Sequence, residues 1–96
     1  MKSPVIAVYS GTFDPLTLGH EDVVRRAARM FDQVIIAVAT AHHKKTLFSL
    51  DERLHLAQAA MHDCANVKAV PFDGLIVDFV RAQQAQVIVR GLRSVT

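Results

Sequence analysis

Four short apolar runs, Val5 to Tyr9, Val34 to Ala39, Val67 to Val70 and Val87 to Val89, stand far enough apart to hold a helix between each pair. They are rich in β-branched residues and bounded by turn formers, as strands buried on both faces are. The stretches between them switch to a helical period. From Glu21 to Phe31, the residues Val23, Val24, Ala27, Ala28 and Phe31 fall on one side, with Glu21, Arg25, Arg26 and Arg29 largely on the other. A second helix opens with Ser49 and Glu52 at capping-box spacing and continues in an apolar stripe of Leu50, Leu54, Ala57 and Met61. A third is expected from about Leu75 to Gln84, after Pro71 and Gly74, burying some of Leu75, Ile76, Phe79 and Val80. There is no internal repeat, linker or low-complexity segment.

This alternation predicts an α/β fold with a parallel sheet. Right-handed crossovers lay the first three strands in the order 3-2-1, and the fourth must then go beyond strand one. The expected architecture is a Rossmann-like open parallel sheet, order 3-2-1-4, with flanking helices. Reversal of direction at strand one makes a topological switch point, and ligands of open parallel sheets bind outside the carboxyl ends of the strands at such a point. Thr12 and His20, after strand one, should therefore face Arg90 to Arg93, after strand four.

Length and composition narrow the field. With 96 residues and 51% hydrophobic content the chain is one domain, residues 1 to 96, with little stability to spare. No run of about 20 apolar residues and no signal-peptide pattern is present, so a cytoplasmic location without membrane contact is expected. Cys64 is the only cysteine and reads as a small packing residue. The formal charge of +2 is mild and the basic residues form no tract, so no nucleic-acid partner is expected; Arg25, Arg26 and Arg29 read as a solvated helix face.

The most informative segment is Gly11-Thr12-Phe13-Asp14-Pro15-Leu16-Thr17-Leu18-Gly19-His20. A strand empties into a turn that Asp14-Pro15 constrains, Gly19 permits a close backbone approach, and His20 follows at a helix N-terminus, where an anion is favoured. Only four glycines exist, so neither a Walker A loop nor a dinucleotide fingerprint can be built. What converges instead is His20, Lys44, Arg90 and Arg93, donors to phosphate oxygens with no general base among them. Nucleotidyl transfer suits such a set, because it needs alignment and charge stabilisation more than covalent help. A phosphate monoester nucleophile is already largely anionic at neutral pH and needs no base. His42 and His43 are expected to be exposed loop residues and not metal ligands, His55 and His62 surface positions, and Asp14 a turn or capping residue.

The Gly11 to His20 decapeptide resembles the signature of the nucleotidyltransferase superfamily. Three further segments narrow the resemblance to the bacterial phosphopantetheine adenylyltransferases: His43-Lys44-Lys45 with Phe48-Ser49-Leu50-Asp51-Glu52-Arg53, then Val70-Pro71-Phe72-Asp73-Gly74-Leu75, then Val87-Ile88-Val89-Arg90-Gly91-Leu92-Arg93. The resemblance implies transfer of the adenylyl group of ATP to 4′-phosphopantetheine, giving dephospho-coenzyme A and pyrophosphate, with Mg2+ carried by the nucleotide. It implies that His20 stabilises the transition state at the α-phosphate, that Thr12 orients the acceptor phosphate and, with Phe13, touches ATP, and that Lys44 and Arg90 bind the acceptor. It assigns Gly91, Leu92 and Arg93 to ATP, with Arg93 at the outer phosphates, and Ile76 to the pantetheine arm. Ser10 stands where the family usually has proline, and Ala41-His42-His43 replaces a more usual small or polar run.

Family members continue beyond the counterpart of Thr96 with further helices, a fifth strand and a serine-rich segment, and they form a hexamer. The resemblance thus makes this chain their amino-terminal portion and a homo-oligomer the state expected of the full-length protein. Two other functions stay open: a binding module that holds phosphopantetheine or coenzyme A without turnover, and a related cytidylyltransferase, against which Arg-Gly-Leu-Arg and Phe-Asp-Gly-Leu argue. The 96-residue chain is expected to be marginally stable and to self-associate. Size-exclusion chromatography with a thermal melt checks this, and a sharp monomer peak with a cooperative transition contradicts it.

Overall fold

A computed structural model describes residues 3–42 and 45–90. The elements run β1 (Ile6–Gly11), α1 (Leu18–Met30), β2 (Gln33–Ala39), α2 (Leu50–Ala60), β3 (Val67–Phe72), α3 (Ile76–Ala82) and β4 (Val87–Val89). The strands form one parallel sheet in the order β3-β2-β1-β4, as the crossover argument requires. β1 pairs with β2 from Ile6↔Gln33 to Gly11↔Val38, and with β4 from Ala7↔Val87 to Tyr9↔Val89.

Because strands alternate their side chains, β1 and β2 supply both faces of the sheet. One face carries Tyr9, Val34, Ile36 and Val38 under Val24 and Ala27 of α1 and Ala57 of α2. The other carries Val8, Ile35 and Ala37 under Ile76, Phe79 and Val80 of α3. The first two crossovers thus lie on one face and the third, running back past β1, on the other. The apolar stripe expected of α2 is present, with Ala57 and Met61 buried and Leu50 and Leu54 packed against them.

Two helix boundaries differ from the sequence expectation. α1 begins at Leu18, three residues before Glu21. Thr17 caps it by accepting from the His20 backbone N–H at 3.3 Å, while His20 Nδ1 accepts the Thr17 backbone N–H at 3.0 Å. A histidine replaces the usual glutamate in this reciprocal cap, and Leu18 is 81% exposed, so the apolar period carries no trace of the first turn. α3 is shorter than expected at both ends: Leu75, 70% exposed, only caps it and does so without a side-chain bond, and at the other end Gln83 is the C-cap and Gln84 turns to a φ of 56°. β3 runs two residues further than expected, through Pro71. Proline is tolerated there because β3 is an edge strand that pairs only with β2.

Arg53, in the first turns of α2, is 1% exposed. Its Nη1 donates to the carbonyls of Thr12 and Ala39, both at 2.8 Å, its Nε to Phe48 at 3.2 Å and its Nη2 to Thr40 at 3.3 Å. One planar fork therefore gathers the residue after β1, the end of β2 and the residues entering α2. On the opposite side of the domain, Arg25 of α1 donates to both carboxylate oxygens of Asp63 at 2.9 and 3.2 Å and to Cys64 Sγ at 3.3 Å, so it is a bridge between elements and not only a solvated residue. Cys64 is half-buried against the first core, as expected.

Replacing Arg53 by methionine leaves four carbonyls without their donor and is expected to cost at least about 3 kcal/mol, since each buried orphan acceptor costs about 1–3. A fall of roughly 10–20 °C in Tm would follow, with Arg53→Lys in between because an ammonium cannot fork. The carboxyls of Glu52, Asp63 and Asp73 are each held below their ordinary range, by Ser49, by Arg25 and by His42 in turn. Their contribution is present above the unfolded values and lost as pH falls through the folded ones, so melts recorded below about pH 4 should show progressive destabilisation.

Candidate functional site

At the carboxyl edge of the sheet β1 turns sharply, and Phe13 makes the bend with φ of 49°. The bend is held by packing: Phe13 is 4% exposed, with its ring edge-on to Tyr9 at 5.2 Å and to His20 at 5.0 Å between centroids. Gly11 makes room for this ring. A Cβ at Gly11 would lie 3.1–3.3 Å from three Phe13 ring atoms, tighter than ordinary contact. The next peptide bond but one, Asp14-Pro15, is cis.

His20 sits in the first turn of α1, and its ring is oriented from two sides. Phe13 meets it nearly perpendicularly, at 88°, and the Thr17 backbone N–H donates to Nδ1. In the neutral ring the proton is then on Nε2, which makes Nε2 the donor nitrogen. Burial raises the pKa of the neighbouring Tyr9 hydroxyl above its ordinary value, which keeps it neutral. Gly19 lies one residue earlier on the exposed side of the helix. Among the described residues a Cβ there would meet only Thr17 Oγ1, at 3.7 Å, so no packing among them requires glycine at this place.

The turn is tied to α2 in both directions. Arg53 takes the Thr12 carbonyl. In return, the Asp14 carboxylate accepts the backbone N–H groups of Leu47, at 2.6 Å, and Phe48, at 2.8 Å. The local turn or capping role expected of Asp14 is replaced by a long-range tie, because its partners lie 33 and 34 residues away.

β4 pairs with β1 up to Tyr9↔Val89, so Arg90 leaves the sheet beside Ser10, next to the segment that carries Thr12 and Phe13. Arg90 is exposed and lines an open groove of about 430 Å³ with Asp22, Val23 and Phe31 of the α1 side and with Val87 and Val89. Thr12, Phe13, His20 and Arg90 thus all follow the carboxyl ends of the adjacent strands β1 and β4, although the groove that Arg90 lines runs along α1 and is bordered by none of the other three. Ile76 opens α3 at the same edge of the sheet but packs against the opposite face, beneath Val8, Ile35 and Ala37. Lys44, Gly91, Leu92 and Arg93 lie outside the described residues.

Other sequence candidates are surface features. His55 is exposed on α2, and His62, just past it, has Nδ1 3.0 Å from the Ala59 carbonyl. His42 is exposed as expected, but it has a partner, Asp73. Among the described residues no cluster of three or more His, Cys, Asp or Glu side chains could hold a metal ion, and no helix is long and apolar enough to cross a membrane. Sequence reasoning missed Arg53 and the reach of Asp14; the Phe48 to Arg53 motif was the only signal that pointed near them.

Comparison with known proteins gives a consistent picture. The family model described as cytidylyltransferase-like matches residues 8–96. A protein named phosphopantetheine adenylyltransferase from Acidovorax sp. (strain JS42) is 63% identical over 92 residues, covering 96% of this chain and 56% of its own length. Proteins of the same name from Thioalkalivibrio sulfidiphilus and Methylobacillus flagellatus are 56% and 53% identical, over 96% and 98% of this chain. The chain spans a little over half the length of these curated relatives. Among solved structures, a lipopolysaccharide core biosynthesis protein from Thermoplasma volcanium superposes with a TM-score of 0.68 at 20% identity, over 90% of this chain and 73% of that one, a likeness of fold. The NadR protein in complex with NAD and AMP-PNP superposes with a TM-score of 0.66 at 25% identity, over 76% of this chain and 21% of that one.

The reciprocal tie makes a local prediction. Asp14→Asn retains one acceptor oxygen for two N–H groups, and amide hydrogen exchange at Leu47 or Phe48 should accelerate by at least about tenfold, the loss of one charge-assisted bond. Amides in the centre of β2 should keep their protection.

Proposed function

From the premise that this chain belongs to the cytidylyltransferase-like family, we propose that it serves transfer of the adenylyl group of ATP to 4′-phosphopantetheine, giving dephospho-coenzyme A and pyrophosphate. The relatives at 53–63% identity carry the name of that activity over almost the whole of this chain. The observation that bears most weight is the placing of His20. It lies in the first turn of α1, at the switch between β1 and β4, with Nδ1 accepting the Thr17 backbone N–H, which puts the proton of the neutral ring on Nε2.

In the reaction an oxygen of the acceptor phosphate attacks the α-phosphorus of ATP, one bond forms there, and the bond to the departing pyrophosphate breaks. No proton has to be removed, because a phosphate monoester is largely dianionic at neutral pH. The work left to the protein is alignment and stabilisation of charge. His20 donates to the oxygens of the α-phosphate as charge develops on them. Thr12 orients the acceptor phosphate, with Lys44 and Arg90 as its cationic partners, and Phe13, with Thr12, borders ATP. Gly91, Leu92 and Arg93 complete the nucleotide side, Arg93 at the outer phosphates, and Ile76 borders the pantetheine arm. Gly19, unneeded by packing among the described residues, leaves space for a phosphate to approach the helix backbone.

The donor set suits a metal that arrives with the nucleotide. His20 and Arg90 are phosphate donors, and the Asp14 carboxylate is bound to two backbone N–H groups. Mg2+ bound to ATP neutralises phosphate charge, and the residues here hold the phosphates around it. The same reading places the protein in the cytoplasm, in coenzyme A synthesis, and as a homo-oligomer at full length.

The test mixes the chain with magnesium, ATP and 4′-phosphopantetheine and follows pyrophosphate release. His20→Ala should lower turnover about 10²–10³-fold, the loss of one preorganised donor, with much smaller effect on acceptor affinity. Acceptor binding without pyrophosphate release would assign this chain a binding role, and release unchanged in His20→Ala would contradict the mechanism. Gly19→Ala should leave the fold as stable or stabilise it by up to about 1 kcal/mol, a helix-propensity gain, and yet lower turnover. A melt beside the same assay separates the two effects.

A further inference from the structure

A buried tyrosine ordinarily brings its hydroxyl to a hydrogen-bond partner, because an oxygen removed from water and left unpaired is costly. Tyr9 is only 7% exposed, yet among the described residues its hydroxyl has no hydrogen-bond partner. Nor is that oxygen sealed in the core, since every fully buried side-chain nitrogen and oxygen among the described residues has a partner. The ring is therefore enclosed while its polar end meets solvent.

The neighbours of the ring show where. Side chains of a strand stand off the sheet and lean along the strand direction. The rings that Tyr9 meets belong to residues beyond the end of β1: Phe13, 5.2 Å away between centroids, and His20, 6.2 Å away. The Tyr9 ring thus leans toward the carboxyl edge of the sheet, on the face that α1 covers. The grooves along α1, beside α2 and between the ends of β2 and β3 are lined by other residues. The solvent that the hydroxyl meets is that beside the His20 ring.

We infer that the Tyr9 hydroxyl is a further substrate contact, donating a hydrogen bond to a phosphate oxygen held at His20. The inference rests on the proposed role of His20 and adds to it a second side-chain donor, carried by the strand itself. Burial raises the pKa of the phenol, so it keeps its proton at neutral pH and can donate. The ring is already fixed by the sheet and by Phe13, so little ordering is lost when a ligand arrives. With no partner among the described residues, the oxygen gives up only water for the bond. Two phosphates come to this place in the proposed reaction, the α-phosphate of ATP and that of the acceptor, and the bond has the same chemistry with either.

The test compares the full chain with Tyr9→Phe, which removes one oxygen and leaves the ring against Phe13 and His20. Calorimetric titrations use two probes, AMP-PNP with magnesium and 4′-phosphopantetheine, and pyrophosphate release measures turnover. Loss of one hydrogen bond to a charged oxygen should lower the affinity for a probe, or turnover, by at least about tenfold. A loss confined to AMP-PNP assigns the bond to the nucleotide, and one confined to 4′-phosphopantetheine assigns it to the acceptor. A loss of turnover with both affinities kept assigns it to the transition state.

The melting temperature of Tyr9→Phe should be unchanged, because no internal bond is broken. A fall of more than about 4 °C would show that the hydroxyl serves the fold, and would overturn the inference. Unchanged affinity for both probes together with unchanged turnover overturns it as well, and leaves the reading of His20 standing. No binding of either probe by the unmodified chain overturns that reading and the Tyr9 contact with it.

Discussion

The guanidinium of Arg53 is the one fully buried charge among the described residues, and it faces carbonyl oxygens instead of a carboxylate. A buried cation is tolerable only when its donors are satisfied, and here Thr12, Phe48, Ala39 and Thr40 supply the acceptors. The same bonds solve a second problem, since strands that end at a ligand site leave main-chain carbonyls without ladder partners. One side chain thus closes the ends of β1 and β2 and orients the entry to α2. The capping box of Ser49 and Glu52 fixes where α2 begins, and so fixes where Arg53 points. Asp14 returns the tie from the other side through Leu47 and Phe48.

This lock explains how a short chain can present a shaped site at its edge. Phe13 adopts a backbone conformation that costs energy for a non-glycine residue, and the surrounding contacts over-determine it. Its ring, set by Gly11 and Tyr9, supports the imidazole of His20, while the cap of α1 orients the same imidazole from the backbone. Preorganisation of this kind is what charge-stabilising catalysis needs, because the donors are already in place when charge develops. The topology adds Arg90, brought alongside by the reversal of direction at β1.

Much of this was legible in the chain. The strands announce themselves as β-branched runs because both sheet faces are buried, and the 3-2-1-4 order follows from crossover handedness once the chain is taken to turn back past strand one. The corner of Thr12, Phe13, His20 and Arg90 was legible because it joins motif to topology. What escaped notice has a common physical character. Arg53 sits at a position where an arginine ordinarily reads as solvated, and burial is a property of the assembled fold. Asp14 acts on peptides more than thirty residues away. The cap of α1 uses histidine where the pattern looks for glutamate, and that shifted the helix start. Gly19 drew attention through its neighbours, whereas Gly11 is the glycine the packing requires. The bond from His42 to Asp73 links two loops that only the pairing of β2 with β3 brings together.

The most direct test of the central claim, that one corner at the ends of β1 and β4 receives both substrates, is a two-dimensional amide NMR titration of the chain with ATP and 4′-phosphopantetheine. The account predicts that Gly11 to His20 and Val89 to Arg90 shift together, with β3's outer edge and the Arg25–Asp63 end of the domain unchanged. Shifts centred on the α2–β3 groove around Met61 and Lys68, with the Gly11 to His20 segment silent, would contradict it.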